Sequence, residues 1–278
     1  MQQDFSAWIG RSAVAKDRLE PARSRALSAA LGRAPELTDS RLPLLHHWLY
    51  FWDVRPPRGL GTDGHPARGD FLPPVPLPRR MWAGGRLRFH RDLKFESNLT
   101  RTSTILKVET KSGRSGDLVF VTVRHEIGDE AGVALTEEQD IVYRGAASAT
   151  LELPKPLEQP PASAWKQNVS PDPVLLFRYS ALTMNGHRIH YDRTYAMKEE
   201  AYPGLVVQGP LQATLLIGLA AAHLDAPIAG FEFRGLAPAY DGIPLHVCGD
   251  PTETGARLWI QQGEAKSMSA QVVCGDPG

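Results

Sequence analysis

The chain has 278 residues with 31 basic and 31 acidic side chains, so no net field draws it to nucleic acid or an anionic membrane; an anionic ligand needs a local patch. Its length and 42% hydrophobic content supply core for two compact units. The only cysteines, Cys248 and Cys274, argue against a disulfide framework or a structural zinc site and fit a reducing compartment. The opening segment MQQDFSAWIGRSAVAKDRLE meets charge before an apolar run forms, and no stretch reaches the roughly 18 apolar residues of a membrane span. A cytoplasmic protein with no nucleic-acid and no membrane partner is expected.

The first fifty residues read as helical. Leu19, Ala22, Leu27 and Leu31 recur at near-helical steps, and Asp39, Ser40 and Pro43 precede the buried run LLHHWLYFW. From Arg55 to Pro78, RPPRGLGTDGHPARGDFLPPVPLP lacks amide donors at its prolines and gains freedom at its glycines, which predicts a long loop of the lid or binding kind. RLRFHRDLKF, TSTILKVET, DLVFVTVRHEI and EEQDIVYR are rich in β-branched and aromatic residues and are separated by turn signals, KSGRSGD and GDEAG among them, predicting an antiparallel sheet.

The proline-rich stretch Leu153 to Ser163 is the candidate linker, dividing the chain into domains 1–152 and 164–278. Beyond it, VLLFRYSAL reads as a strand and Leu205 to His223 as a helix with Gly209 and Pro210 near its start. FEFRGLAPAY, IPLHVCG, ARLWIQQ and SMSAQVV read as strands. The expected fold is α+β, with each half an antiparallel sheet wrapped around one apolar helix.

Gly59, Gly61 and Gly64 match G-x-G-x-x-G, but no strand precedes them and no helix follows, so the stretch reads as loop rather than a dinucleotide site. His187 and His190 stand three apart, which on a helix would place both imidazoles on one face. No further His or Cys pair at a recognisable spacing completes a ligand set, so no metal is expected. His46 and His47 are adjacent and would point apart on a helix, one packed and one polar.

Three phrases, SALTMNGHRIHYD, YPGLVVQGPLQATLL and PRRMWAGGRLRF, resemble the MaoC-like hydratases and dehydratases of the hotdog superfamily, and more closely the type 2 hydroxyacyl-thioester dehydratases. The resemblance implies a double hotdog, with a non-catalytic FAS1-like first half and a catalytic second half. The wider family carries an aspartate and, five residues later, a histidine; that spacing falls here on Asn185 and His190. The type 2 subgroup resembles this chain in having asparagine there. Adding water across an enoyl thioester needs a base for the water, an acid for Cα and donors for the enolate-like oxygen. The resemblance thus implies His190 as the proton carrier, Asn185 as the residue that positions water, and the Gly209 backbone N–H at the helix start as the donor to the thioester oxygen. The family often has histidine immediately before this glycine, where this chain has Gln208.

The expected partner is an acyl-CoA, a substrate rather than a resident cofactor, with acyl carrier protein as the alternative carrier. Arg79, Arg80, Arg86, Arg88, Arg91 and Lys94 form a basic run, and Arg86 and Arg88 share one strand face suited to nucleotide phosphates or an acidic carrier. Arg188 and Arg193 flank His190, where a guanidinium would hold a substrate carboxylate, favouring mesaconyl-, itaconyl- or methylmalyl-CoA. The alternatives are a hydroxyacyl-carrier-protein dehydratase of fatty acid synthesis and a non-catalytic acyl-CoA-binding module. One chain already supplies the paired hotdog, and further association to a homodimer is the expected assembly.

Overall fold

The computed structural model describes residues 4–33, 40–113, 116–146, 152–157, 159 and 161–275. The first half contributes β1 (Ser12–Arg18), α1 (Pro21–Ala30), β2 (Arg79–Phe89), β3 (Asn98–Gly113), β4 (Gly116–Asp129) and β5 (Gly132–Arg144). The second contributes β6 (Trp165–Val169), α2 (Pro173–Leu182), α3 (Arg193–Lys198), α4 (Gly209–Ala221), β7 (Ile228–Gly235), β8 (Leu245–Thr252), β9 (Gly255–Gln262) and β10 (Ala265–Cys274). The strands form one sheet in the order β1-β3-β4-β5-β2-β7-β10-β9-β8-β6, with every neighbouring pair antiparallel. This is the expected double hotdog.

The halves join where β2 meets β7, from Gly84 opposite Arg234 to Arg88 opposite Gly230. A Cβ at Gly84 would lie 2.6 Å from the Phe233 carbonyl oxygen, and one at Gly85 would lie 2.9 Å from the Phe233 ring. The two glycines of PRRMWAGGRLRF therefore let the seam close. Trp82 and Phe233 meet there edge to face at 5.9 Å, and Trp48 packs on Trp82 at 5.0 Å.

Helix α4 is apolar nearly all round and is wrapped by the strands of the second half, with Leu211, Leu215, Leu216 and Ala220 fully buried. The first half is built differently. Its LLHHWLYFW run forms only a 3-10 turn, His46–Leu49, bounded by left-handed Leu45 (φ 64°) and Phe51 (φ 59°), rather than a helix. His46 and His47 are both buried and both bonded, His46 Nδ1 lying 2.6 Å from Ser24 Oγ and His47 Nε2 donating to Glu137 at 3.1 Å, which corrects the expectation of one packed and one polar ring. Asp39 lies outside the described residues, as do Arg114 and Ser115 of the KSGRSGD turn and Glu158 and Pro160 of the linker.

The run VLLFRYSAL is helix α2, not a strand. Asp172 caps it by accepting from the Leu175 N–H at 2.7 Å, and Pro173 occupies the first turn. β1 replaces part of the helix expected near the N-terminus, and β6 follows the linker; both are edge strands with few buried residues. Among the described residues, no helix is long and apolar enough to cross a membrane.

Replacing Gly84 by alanine sets a methyl against rigid backbone. We expect a loss of about 1–3 kcal/mol, as for other overpacked interiors, measured by urea denaturation.

Candidate active site

His190 ends a single 3-10 turn, Arg188–His190, which is tied to the segment before α4. The Val206 N–H donates to the Ile189 carbonyl at 3.0 Å, and the Val206 carbonyl oxygen lies 2.7 Å from His190 Nδ1. A carbonyl can only accept, so Nδ1 carries the proton and the neutral ring keeps its lone pair on Nε2. Burial pushes the imidazole pKa down to about 3, aided by His187 and His65 and opposed by the bond to Val206. The ring is therefore neutral at physiological pH.

Asn185 shares the cavity wall with His190. Its Oδ1 accepts from the His187 N–H at 3.1 Å, which fixes the amide orientation and leaves Nδ2 as the available donor. Gly209 begins α4 and is followed by Pro210, which has no N–H, so the Gly209 amide is one of the unpaired donors at this helix start. A Cβ at Gly209 would meet nothing closer than 3.9 Å, so packing leaves room at this amide. Gln208 is fully buried and donates through Nε2 to the Leu176 carbonyl at 2.8 Å and to Ser180 Oγ at 3.0 Å, pinning the start of α4 to α2.

His190, Asn185 and Gly209 thus line one cavity of about 790 Å³ between the two halves. The four arginines singled out in the sequence do not line it. Arg188 is held by Asp192 at 2.7 Å and lies over the Tyr195 ring, and Arg193 pairs with Asp241. Arg86 binds Asp140 at 2.6 Å and Glu138 at 3.2 Å, while Arg88 is exposed away from the cavity. Acids thus neutralise three of the four, Arg86, Arg188 and Arg193.

The loop of the first half reaches this site. The Arg188 N–H donates to the Asp63 carbonyl at 2.9 Å, and Arg188 Nη1 donates to the Thr62 carbonyl at 3.1 Å. Gly64 (φ 86°) and Gly186 touch: a Cβ on Gly64 would lie 2.0 Å from the Gly186 oxygen. GLGTDG, declined as a dinucleotide motif, is a docking segment. It delivers His65, whose Nδ1 lies 3.1 Å from Asp63 Oδ2 and whose ring sits 4.1 Å from that of His187. His187 faces Glu200 at 3.5 Å, and Arg79 binds Glu200 at 3.1 Å. Burial first, then Arg80 and His187, push the His65 pKa down to about 4 against the pull of Asp63. Asp63, His65 and His187 hold ligand atoms within 4.8 Å of one another, a set that could take a divalent ion and that His187–His190 spacing did not reveal. Arg68 braces the same loop by donating to the carbonyls of Val75, Leu77 and Pro78.

The far wall carries one polar patch among apolar side chains. Glu137 is buried and accepts from His47 Nε2 at 3.1 Å, Trp48 Nε1 at 2.9 Å and Gln139 Nε2 at 2.9 Å. Burial alone would raise its pKa, but the bond to His47 and the charges of His47 and His125 bring it down to about 2.

Gly64→Ala should push the docking loop off the Gly186 turn. Steady-state kinetics on a fold-checked variant should show kcat/KM falling about 100-fold, the scale of a small misplacement in an active site.

The family model for hydroxyacyl-thioester dehydratase type 2 matches residues 45–241. A mesaconyl-C(4)-CoA hydratase of Chloroflexus aurantiacus is 47% identical over 277 residues, covering 98% of each chain. Among solved structures, HtdX of Mycobacterium tuberculosis aligns with a TM-score of 0.68 at 16% identity, over 94% of this chain and 99% of its own. A second protein of that organism, described as having a double hotdog fold, aligns with a TM-score of 0.56 at 14% identity, over 96% of each chain. The protein is a hydro-lyase acting on acyl thioesters and belongs to the type 2 hydroxyacyl-thioester dehydratase family.

Proposed function

We propose that this enzyme hydrates a short, branched, dicarboxylic acyl-CoA of the mesaconyl-CoA kind, with His190 as the single proton carrier. The observation that carries the mechanism is the Nδ1–H bond to the Val206 carbonyl, which leaves Nε2 as the base. Nε2 takes a proton from water as the water oxygen attacks Cβ, and electron density moves to the thioester oxygen. The Gly209 N–H and the positive end of α4 stabilise that oxygen. The imidazolium then returns its proton to Cα, so one water is added and His190 is regenerated. Asn185 supports this scheme as a donor: with Oδ1 committed to His187, Nδ2 is left to hold the water oxygen.

The substrate class is supported by the 47% identical relative. The free cysteines, Cys248 and Cys274, fit a cytoplasmic setting. Residues of both halves of one chain converge on the site, so the homodimer we favour would be an association of complete sites.

Mesaconyl-C4-CoA, itaconyl-CoA and crotonyl-CoA should be compared by loss of enoyl-thioester absorbance. The mesaconyl thioester should give the highest kcat/KM, and preference for crotonyl-CoA would contradict the substrate reading. His190→Ala should lower kcat by about 10²–10⁴, the usual contribution of acid–base catalysis, with Asn185→Asp retaining more activity than Asn185→Leu.

A further inference from the structure

A dicarboxylic substrate brings a second anion into the cavity, and this inference rests on the substrate class proposed above. In a C4 thioester of mesaconate the free carboxylate and the methyl group both sit on the carbon β to the thioester, the carbon that water attacks. The receptor must therefore lie beside His190 rather than at the end of an acyl tunnel.

Five arginines line the cavity: Arg55, Arg68, Arg80, Arg101 and Arg144. Arg55 is held by Asp53 at 2.5 Å and Asp70 at 2.7 Å, and Arg68 is committed to three loop carbonyls. Arg101 lies over the Phe51 ring at 4.9 Å, in the field of Glu137, Asp53 and Asp17. Arg144 pairs in register with Arg79, on the opposite strand face from Arg80, and its charge falls on Tyr202 rather than on the histidines. The far wall offers no substitute, because Glu137 already takes the donors of His47, Trp48 and Gln139.

Arg80 is different. It sits opposite Tyr143, on the sheet face that also carries Trp82 and Ile141; like Arg101 and Arg144 it has no carboxylate partner among the described residues, and what sets it apart is its place near the histidine cluster. Its charge reaches His65, the ring in contact with His187 beside His190. We propose that Arg80 is the specificity residue of this hydratase, binding the free carboxylate on the substrate's β carbon. A planar guanidinium can engage both carboxylate oxygens, and partial burial strengthens the contact. It also offsets the negative charge that would otherwise oppose attack at that carbon.

The test compares mesaconyl-C4-CoA with crotonyl-CoA, which shares the coenzyme and lacks the carboxylate, in the wild type, Arg80→Gln and Arg80→Lys, each checked for a native melting transition. In Arg80→Gln the ratio of kcat/KM for the dicarboxylic over the monocarboxylic substrate should fall roughly 10- to 100-fold, the scale of a lost charge-assisted hydrogen bond. Arg80→Lys should recover part of the ratio, and it keeps the test open if the glutamine variant does not fold. Equal losses on both substrates would overturn the proposal, since they would place Arg80 on the shared coenzyme. An unchanged ratio would overturn it as well. A wild type that prefers crotonyl-CoA removes the substrate reading itself, an outcome visible before any variant is made.

Discussion

The hydrogen bond between His190 Nδ1 and the Val206 carbonyl is the constraint on which the chemistry depends. It fixes the tautomer of the ring proposed to move protons, and it does so from the segment that leads into α4. Val206 is bonded both ways across this joint, donating to Ile189 and accepting from His190, while Val207 donates to the Ala239 carbonyl at 2.8 Å. Three residues later the chain reaches the Gly209 amide. The proposed base and the proposed oxyanion donor are thus held by one short stretch. Such coupling keeps the reacting groups in register without a search at each turnover.

The first half contributes much of the cavity wall. Among its described residues its sheet has no long apolar helix like α4, and the space beneath is cavity, walled in part by Trp48 and Trp82 and by the polar group around Glu137. Its 55–78 loop closes over the catalytic turn, with Gly64 against Gly186 and Asp63 bonded to Arg188. The glycine pair at the β2–β7 seam permits the same close approach on the sheet side. On the proposed mechanism, this double hotdog divides labour between a reacting half and a half that shapes and covers.

Much of the fold was legible because its signals are local. The β-branched runs became β2 to β5, and the apolar stretch with Gly209 and Pro210 at its head became α4. Helix α2 was misread from its apolar content, although the Asp172–Pro173 start was a helix signal and the outward Val174 and Phe177 fit one solvent-facing side. Strands β1 and β6 escaped because edge strands bury little and carry a weak alternation. The left-handed Leu45 and Phe51 that limit the His46–Leu49 turn have no local cause in their side chains. In the site, the grouping of His190, Asn185 and Gly209 was readable through family spacing, whereas Asp63 and His65 were not, since they meet the catalytic turn through contacts more than a hundred positions apart in sequence. The surroundings of the arginines were hidden for the same reason: Asp140 and Asp241 meet Arg86 and Arg193 only once the chain has folded.

The central claim is that His190 works as a buried neutral imidazole protonated on Nδ1. The most direct measurement is the ¹⁵N NMR signature of its ring nitrogens, assigned by comparison with His190→Gln, across the neutral pH range. The structure predicts a protonated Nδ1 and a bare Nε2 with no titration near the ordinary histidine value of 6.5, because burial holds its pKa at about 3. An imidazolium at pH 7, or a proton on Nε2, would contradict the account.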